Sequence, residues 1–235
     1  MSSLNILSGG AAQGLVGSLS STLKAQTGFD IAGEFGAVGA MAENLRKGTP
    51  ADIVILTAAI VAKLAEEKLV VTASIADVGL VETALAVRAG DPLVTVRDAA
   101  GLRECLLASD AIYVPDTVAS TAGIHVAKVL AQLGIADEVA GRLRIFPNGA
   151  TAMREMAASD ARRPIGCTQS TEIISTRGVT LSGALPPGCE LATMYTAGIT
   201  TNGAHPSQAQ ELIGLLIGAG QREQRECAGF MSGPK

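Results

Sequence analysis

Apolar positions along the chain follow two alternating rhythms, a short continuous run and a three-to-four-residue periodicity, and the switches between them set out the elements. The stretch LNILSGGAAQGLVG, Leu4 to Gly17, begins as an apolar run of strand type and, past the small turn Ser8-Gly9-Gly10, opens a helix. That helix is predicted over Leu15 to Gln26 and stops at Gly28. Ile31 to Gly36 reads as a second strand, and after Ala37-Val38-Gly39 a helix is predicted from Ala40 to Lys47, ended by Gly48. DIVILT, Asp52 to Thr57, has the pattern of a buried strand, and Ala58 to Glu67 that of a helix with Lys63, Glu66 and Glu67 outward. Strand and helix thus alternate three times, which predicts a mainly parallel sheet covered on both faces.

From Ser74 the rhythm loosens, and the extended run Val81 to Arg88 reads as a crossing into a second lobe. A new alternation follows: helix Arg97 to Ala108, strand Ala111 to Val114, helix Ala122 to Leu133, strand Leu143 to Phe146, helix Ala150 to Ala158 and strand Pro164 to Thr168. Gly183 to Gly188 is a Pro-rich break, Glu190 to Thr200 alternates like a strand, and one long helix is predicted from Gln208 to about Cys227. The resulting α/β chain has lobe 1 in residues 1–80 plus 190–235 and lobe 2 in 81–189, with two crossings and a cleft between them. Clefts between lobes are favoured ligand sites.

Composition narrows the partners. A net charge of -4, with no basic block, argues against nucleic acid, whose phosphates need clustered Lys and Arg. The four cysteines are widely spaced and form no C-x-x-C or Cys/His pattern, so neither a zinc site nor another metal site nor a redox motif is predicted, and no cofactor is required. No apolar run is long enough to span a bilayer. The first strand starts within a few residues of Met1, leaving no room for a basic segment and an apolar core, so the expected location is cytoplasmic, or periplasmic if a leader was removed ahead of Met1.

Four strand-to-helix turns carry the candidate chemistry: Ser8 to Ala11, Ala37 to Gly39, Ser120 to Gly123 and Thr168 to Thr171. In parallel sheets such turns lie at the carboxyl ends of strands, and helix N-termini offer N–H groups and a positive dipole end to an anion. Without a Lys or Arg cluster they suit a small anion or carboxylate.

LNILSGGAAQGL together with GEFGAVGAMAENLRKGTPADIVILT resembles the opening of the molybdate-binding-protein-like group of type II periplasmic solute-binding proteins. TAGIHVAKVLAQLGI and RPIGCTQSTEIIS resemble its second-lobe segments, so the resemblance covers nearly the whole chain. It implies a two-lobe, Venus-flytrap-like α/β fold with the ligand in the cleft. It also implies that Ser8 matches the first ligand serine and Ala122 a backbone donor, with another donor near Gly149 to Thr151. The second ligand serine falls in Ala37-Val38-Gly39, which has no hydroxyl, and the ligand tyrosine falls at Gln169. Those two departures argue against molybdate or tungstate. The group includes aconitate-isomerase-like enzymes, which gives a first expectation: a cofactor-independent isomerase shifting a proton and double bond in an unsaturated di- or tricarboxylate. The alternative is a non-catalytic binding protein, working with an ABC transporter's permease or as an intracellular anion sensor.

The ligand-binding set expected on these grounds is Ser8, Gly9 and Gly10; Ala37, Val38 and Gly39; Ser120, Thr121, Ala122 and Gly123; and Gln169 with Ser170. Arg88 is either a partner for a carboxylate or an ordinary hinge salt bridge. Tyr195 either closes over ligand or packs at the return strand, and Arg154 is weighed as Arg88 is. Three residues are candidates for the proton-transfer group: Glu172, otherwise a capping carboxylate; His125, on the helix after Ala122-Gly123; and Cys167, otherwise packing. His205, before Pro206, reads as surface loop.

Overall fold

A computed structural model describes residues 2–231. The residues up to Val81 and those from Thr193 form one unit, and Glu82–Ala192 form the other. In unit 1, β1 (Ser3–Gly9) passes through a 3-10 turn at Gly10–Ala12 into α1 (Gln13–Thr27), and β2 (Asp30–Gly36), α2 (Val38–Arg46), β3 (Ile53–Thr57) and α3 (Ala58–Glu66) repeat the unit. β1 lies between β2 and β3 and is parallel to both, with Ile6 opposite Gly33 on one side and Ile53 on the other. All of β3 is buried, as a strand covered on both faces must be, and Leu15, Leu19 and Leu23 form the apolar stripe by which α1 joins the same core. The helix ends where Gly28 takes φ 76°, a left-handed conformation, and its N–H closes on the Lys24 carbonyl.

β4 (Ala76–Arg88) carries the chain from unit 1 into unit 2. There follow α4 (Ala99–Ala108), β5 (Ala111–Pro115), α5 (Thr121–Gln132), the single turn α6 (Ala136–Val139), β6 (Leu143–Phe146), α7 (Gly149–Ala157), β7 (Pro164–Gln169), α8 (Ser170–Ile174) and β8 (Val179–Ala184). β5 runs parallel between β6 and β7, and β4 pairs antiparallel with both β7 and β8. One apolar layer joins Leu102, Leu106, Ile112, Val126 and Ile165, and the opposite layer joins Ala86, Tyr113, Met153, Met156 and Ile173. β9 (Ala192–Ile199) returns to unit 1 antiparallel to β3, followed by α9 (Pro206–Ile217) and α10 (Arg222–Cys227).

The first three strand–helix units and the second alternation lie where the apolar rhythm predicts them. Four expectations need correction. The sheet is mixed, because β4, β8 and β9 enter without a helical crossover and run antiparallel to their neighbours. The crossing strand starts at Ala76, not Val81. Val179–Ala184 is a strand that takes in Gly183 and Ala184, the first two residues of the expected Pro-rich break. Finally, the long terminal helix is two: Gly218 is extended (φ -58°, ψ 144°), and the Arg225 guanidinium holds the Leu216 and Gly218 carbonyls at 3.1 and 2.7 Å, tying off the end of α9.

Candidate functional site

In unit 1 the β1 turn is buried and closely seated. A Cβ on Gly9 would lie 2.7 Å from Val38 Cγ1 and 2.9 Å from Tyr195 Cε1, so the absent side chain is what lets the start of α2 and the Tyr195 ring approach the end of β1. Tyr195 is buried and meets Phe230 edge-on at 6.3 Å. Ser8 is wholly buried, and its hydroxyl faces the Gly9 and Ile55 carbonyls at 2.9 and 3.3 Å. The hydroxyl thus has carbonyl acceptors within the protein. Ala37 precedes α2 in extended conformation and supplies no capping side chain, leaving the first N–H groups at Val38 and Gly39 to other partners.

Unit 2 distinguishes two kinds of helix start. α4 and α7 are capped from within, by Asp98 on the Gly101 N–H and by Asn148 on the Thr151 N–H, each at 2.8 Å. α5 has no such cap: Ser120 precedes it, and the Asp116 carboxylate is taken up by the N–H groups of Val118 and Ala119 at 2.7 and 2.8 Å. The beginning of α5, Thr121-Ala122-Gly123, thus keeps its donors at the carboxyl end of β5. Gly123 makes this seat possible, since a Cβ there would come within 2.1 Å of the Asp116 carbonyl oxygen.

Beside it, β7 ends at Gln169. This residue is only 3 % exposed, and among the described residues neither polar atom of its amide has a hydrogen-bond partner. The same holds for the hydroxyls of Thr83, 1 % exposed, and Thr171, 2 % exposed. Thr83 is the direct antiparallel partner of Gln169, which puts both side chains on one face of the sheet. Buried polar atoms without partners are rare in folded proteins and mark a place where something else supplies the bond. Ser170 is also buried. Thr171 was visible in the sequence as part of the turn; Thr83 was not, because only the register brings it to Gln169.

Glu172 occupies a different position from an open catalytic carboxylate. It is buried and accepts the Thr168 hydroxyl at 2.6 Å, and the N–H groups of Ala150, Gly149 and Gln169 lie against its carboxylate. The donors at the start of α7, expected near Gly149 to Thr151 to serve a ligand, are in this way filled by the protein's own side chain. A Cβ on Gly149 would stand 1.9 Å from Glu172 Oε2. Burial raises the Glu172 pKa above its ordinary 4.5, and the Thr168 hydroxyl and the N–H groups oppose that rise. The folded protein therefore holds this proton where the unfolded chain has lost it, so the residue's contribution to stability is full below pH 4.5 and falls away as pH rises through the raised value. Glu172→Gln is expected to remove this dependence. In denaturant titrations across that window, wild type should lose stability relative to the variant as pH rises; a constant difference would contradict the assignment.

The remaining candidates are placed as follows. Cys167 packs in a core layer, and burial pushes its thiol up to about 12, so it stays protonated at neutral pH. His125 is half-buried with Nε2 2.8 Å from the Cys189 carbonyl, an oxygen that only accepts, so this nitrogen is the donor of the pair. The Arg88 guanidinium binds the Ser159 and Ala161 carbonyls at 2.7 and 3.1 Å and pairs with Asp91 at 3.2 Å. Arg154 reaches the Thr151 hydroxyl at 2.9 Å. His205 starts α9 and stacks edge-on with Phe29, its backbone N–H bonded to Asp52. Among the described residues no group of three or more His, Cys, Asp or Glu side chains is placed to hold a metal ion, and no helix is long and apolar enough to cross a membrane.

Two α/β units joined by one strand that leaves and one that returns, with uncapped helix starts at strand ends, define the two-lobe fold of type II periplasmic binding proteins. The chain belongs to the bacterial extracellular solute-binding protein family, whose model matches residues 4–230. It is 23 % identical over 245 aligned residues to an aconitate isomerase from Pseudomonas sp, covering 100 % of this chain and 89 % of that protein. In structure it is similar to the periplasmic molybdate-binding protein of Azotobacter vinelandii, with a TM-score of 0.80 at 18 % identity, covering 98 % of this chain and 100 % of the other. The sulfate-binding protein SubI of Mycobacterium tuberculosis gives 0.75 at 18 % identity over 98 % of this chain and 86 % of its own.

Proposed function

We propose that the protein binds a small carboxylate-type anion through its strand-to-helix turns, without metal or cofactor. The observation that carries this is the buried, unpartnered amide of Gln169, beside Thr83 and Thr171 and at the same sheet edge as the uncapped start of α5. Ser120, Thr121, Ala122 and Gly123 contribute backbone and hydroxyl donors there, and in unit 1 Gly9, Gly10 and Ala37 to Gly39 offer the same chemistry. None of these residues is cationic, so the anion is held by hydrogen bonds and helix starts. Similarity to proteins named for molybdate and sulfate supports an anion as the ligand class. A metal oxyanion fits poorly, since the Ser8 hydroxyl already has carbonyl acceptors within the protein, the α2 turn has no hydroxyl and, by the family resemblance, Gln169 falls where the molybdate binders have their ligand tyrosine.

A thermal-shift panel tests the ligand class. A ligand at a hundred times its Kd adds about 2.7 kcal/mol of stability, which for a chain of this size is a rise of roughly 5–10 °C. Di- and tricarboxylates are expected to give that rise and molybdate none; the reverse pattern would overturn the proposal. As a transport component the protein would hand its ligand to an ABC permease, and as a sensor it would not.

A second function, isomerisation of an unsaturated carboxylate by proton transfer, is supported by the full-length similarity to aconitate isomerase. Of the three candidate groups, His125 is half-buried with one ring nitrogen on the Cys189 carbonyl, whereas Glu172 is enclosed by donors and Cys167 holds its proton. Solvent deuterium appearing in aconitate, and disappearing in His125→Gln with affinity retained, would establish this activity. Binding without exchange would exclude it.

A further inference from the structure

The unpartnered side chains of unit 2 are unequal in what they can bond. The Gln169 amide nitrogen only donates, its oxygen only accepts, and the hydroxyls of Thr83 and Thr171 do either. Exchanging oxygen and nitrogen of the amide leaves this tally unchanged, because both atoms are without partners. A fully ionised carboxylate brings acceptors alone. It satisfies the amide nitrogen and the hydroxyl protons but leaves the amide oxygen bare in a buried place. A group with an O–H satisfies both.

Resting on the carboxylate-binding role proposed above, we infer that the ligand of this cluster is a hydroxycarboxylate, whose hydroxyl donates to the Gln169 amide oxygen. The same hydroxyl oxygen accepts from Thr83 or Thr171, while the carboxylate takes the amide N–H. Gln169 is then the residue that sets specificity, choosing among carboxylates by a donor they carry in addition to their charge. A tyrosine in its place would supply a single hydroxyl on a rigid ring, whereas the glutamine supplies a donor and an acceptor side by side.

Titration calorimetry of the full chain with two matched pairs, malate against succinate and citrate against tricarballylate, reads this out. The hydroxylated member of a pair is expected to bind about ten- to a hundredfold more tightly, the penalty for a buried polar atom left unpaired. In Gln169→Met, similar in length but apolar, the preference should fall to about threefold or less while carboxylate binding persists. Thr83→Val provides a second variant at the same face and should weaken the preference in the same direction. Equal binding within both pairs would overturn the inference and leave carboxylate binding standing. If no member of either pair binds, the proposed function fails with it. A preference that survives Gln169→Met would remove the assignment to Gln169.

Discussion

Gly123→Ala is expected to cost about 3 kcal/mol or more of stability, at the upper end of the range for overpacked sites. The new Cβ would lie 2.1 Å from the Asp116 carbonyl oxygen and 2.5 Å from that of Pro115. Both are backbone atoms at the end of β5, so no side-chain rotation relieves the clash and the start of α5 must lift. Lifting it draws Ala122 and Val126 out of the unit 2 core and moves the uncapped N–H groups away from the strand end. Gly17→Ala provides the internal contrast. Position 17 lies in α1 with nothing within 4 Å of the added Cβ, and there the same substitution should stabilise by about 0.8–1 kcal/mol through helix propensity. Urea unfolding followed by circular dichroism compares the two. Similar effects at both positions would show that the close approach at Gly123 is not what holds α5.

Asp52→Ala is expected to destabilise unit 1 by about 2–5 kcal/mol, through two backbone donors left without an acceptor. Asp52 is 1 % exposed, and its two carboxylate oxygens accept the Asn5 N–H and the His205 N–H, each at 2.8 Å. Its own backbone N–H and carbonyl bond Asn5 and Thr200. One residue therefore ties β1, β3, the end of β9 and the entry to α9. Asp52→Asn keeps one acceptor oxygen and turns an NH2 toward the other donor, so it should lose about half as much. Hydrogen exchange measured by mass spectrometry should show faster exchange in β1 and at the start of α9, with α5 and α7 unchanged. Equal loss of protection throughout unit 2 would contradict the local role.

The periodic parts of the fold were legible because their signal is local. Apolar runs of five or six residues, helical stripes such as Leu15, Leu19 and Leu23, and the glycines that stop α1 and α2 are sequence facts that packing then uses. Asp52 was read only as the opening residue of a strand, because the atoms that define its role arrive from Asn5 and His205. Thr83 was invisible for the same reason: nothing near it in sequence announces Gln169 as its partner across β4 and β7. The break at Gly218 was missed because the polar run after it still carries helical propensity, while the residue that ends α9, Arg225, comes from the next helix.

The turns themselves illustrate the limit more sharply. Ser8, Gly149 and Gln169 all stood out as small or polar residues at the end of a strand or the start of a helix. The structure separates them by how their polar groups are occupied: Ser8 is bonded inward, the Gly149 N–H is taken by Glu172, and the Gln169 amide has no partner. Residue type identified the turns, but only the full hydrogen-bond inventory distinguishes a donor already engaged from one available to a ligand.

Nitrogen-15 resonance titration of the labelled full chain with citrate tests the binding role most directly, because it observes the implicated N–H groups one by one. Saturable shifts should be largest at the backbone amides of Thr121, Ala122 and Gly123 and at the side-chain NH2 of Gln169, with the Gly149 and Ala150 amides little changed because Glu172 already holds them. Citrate saturating the protein without moving the Thr121–Gly123 and Gln169 signals, or molybdate moving them where citrate does not, would contradict it.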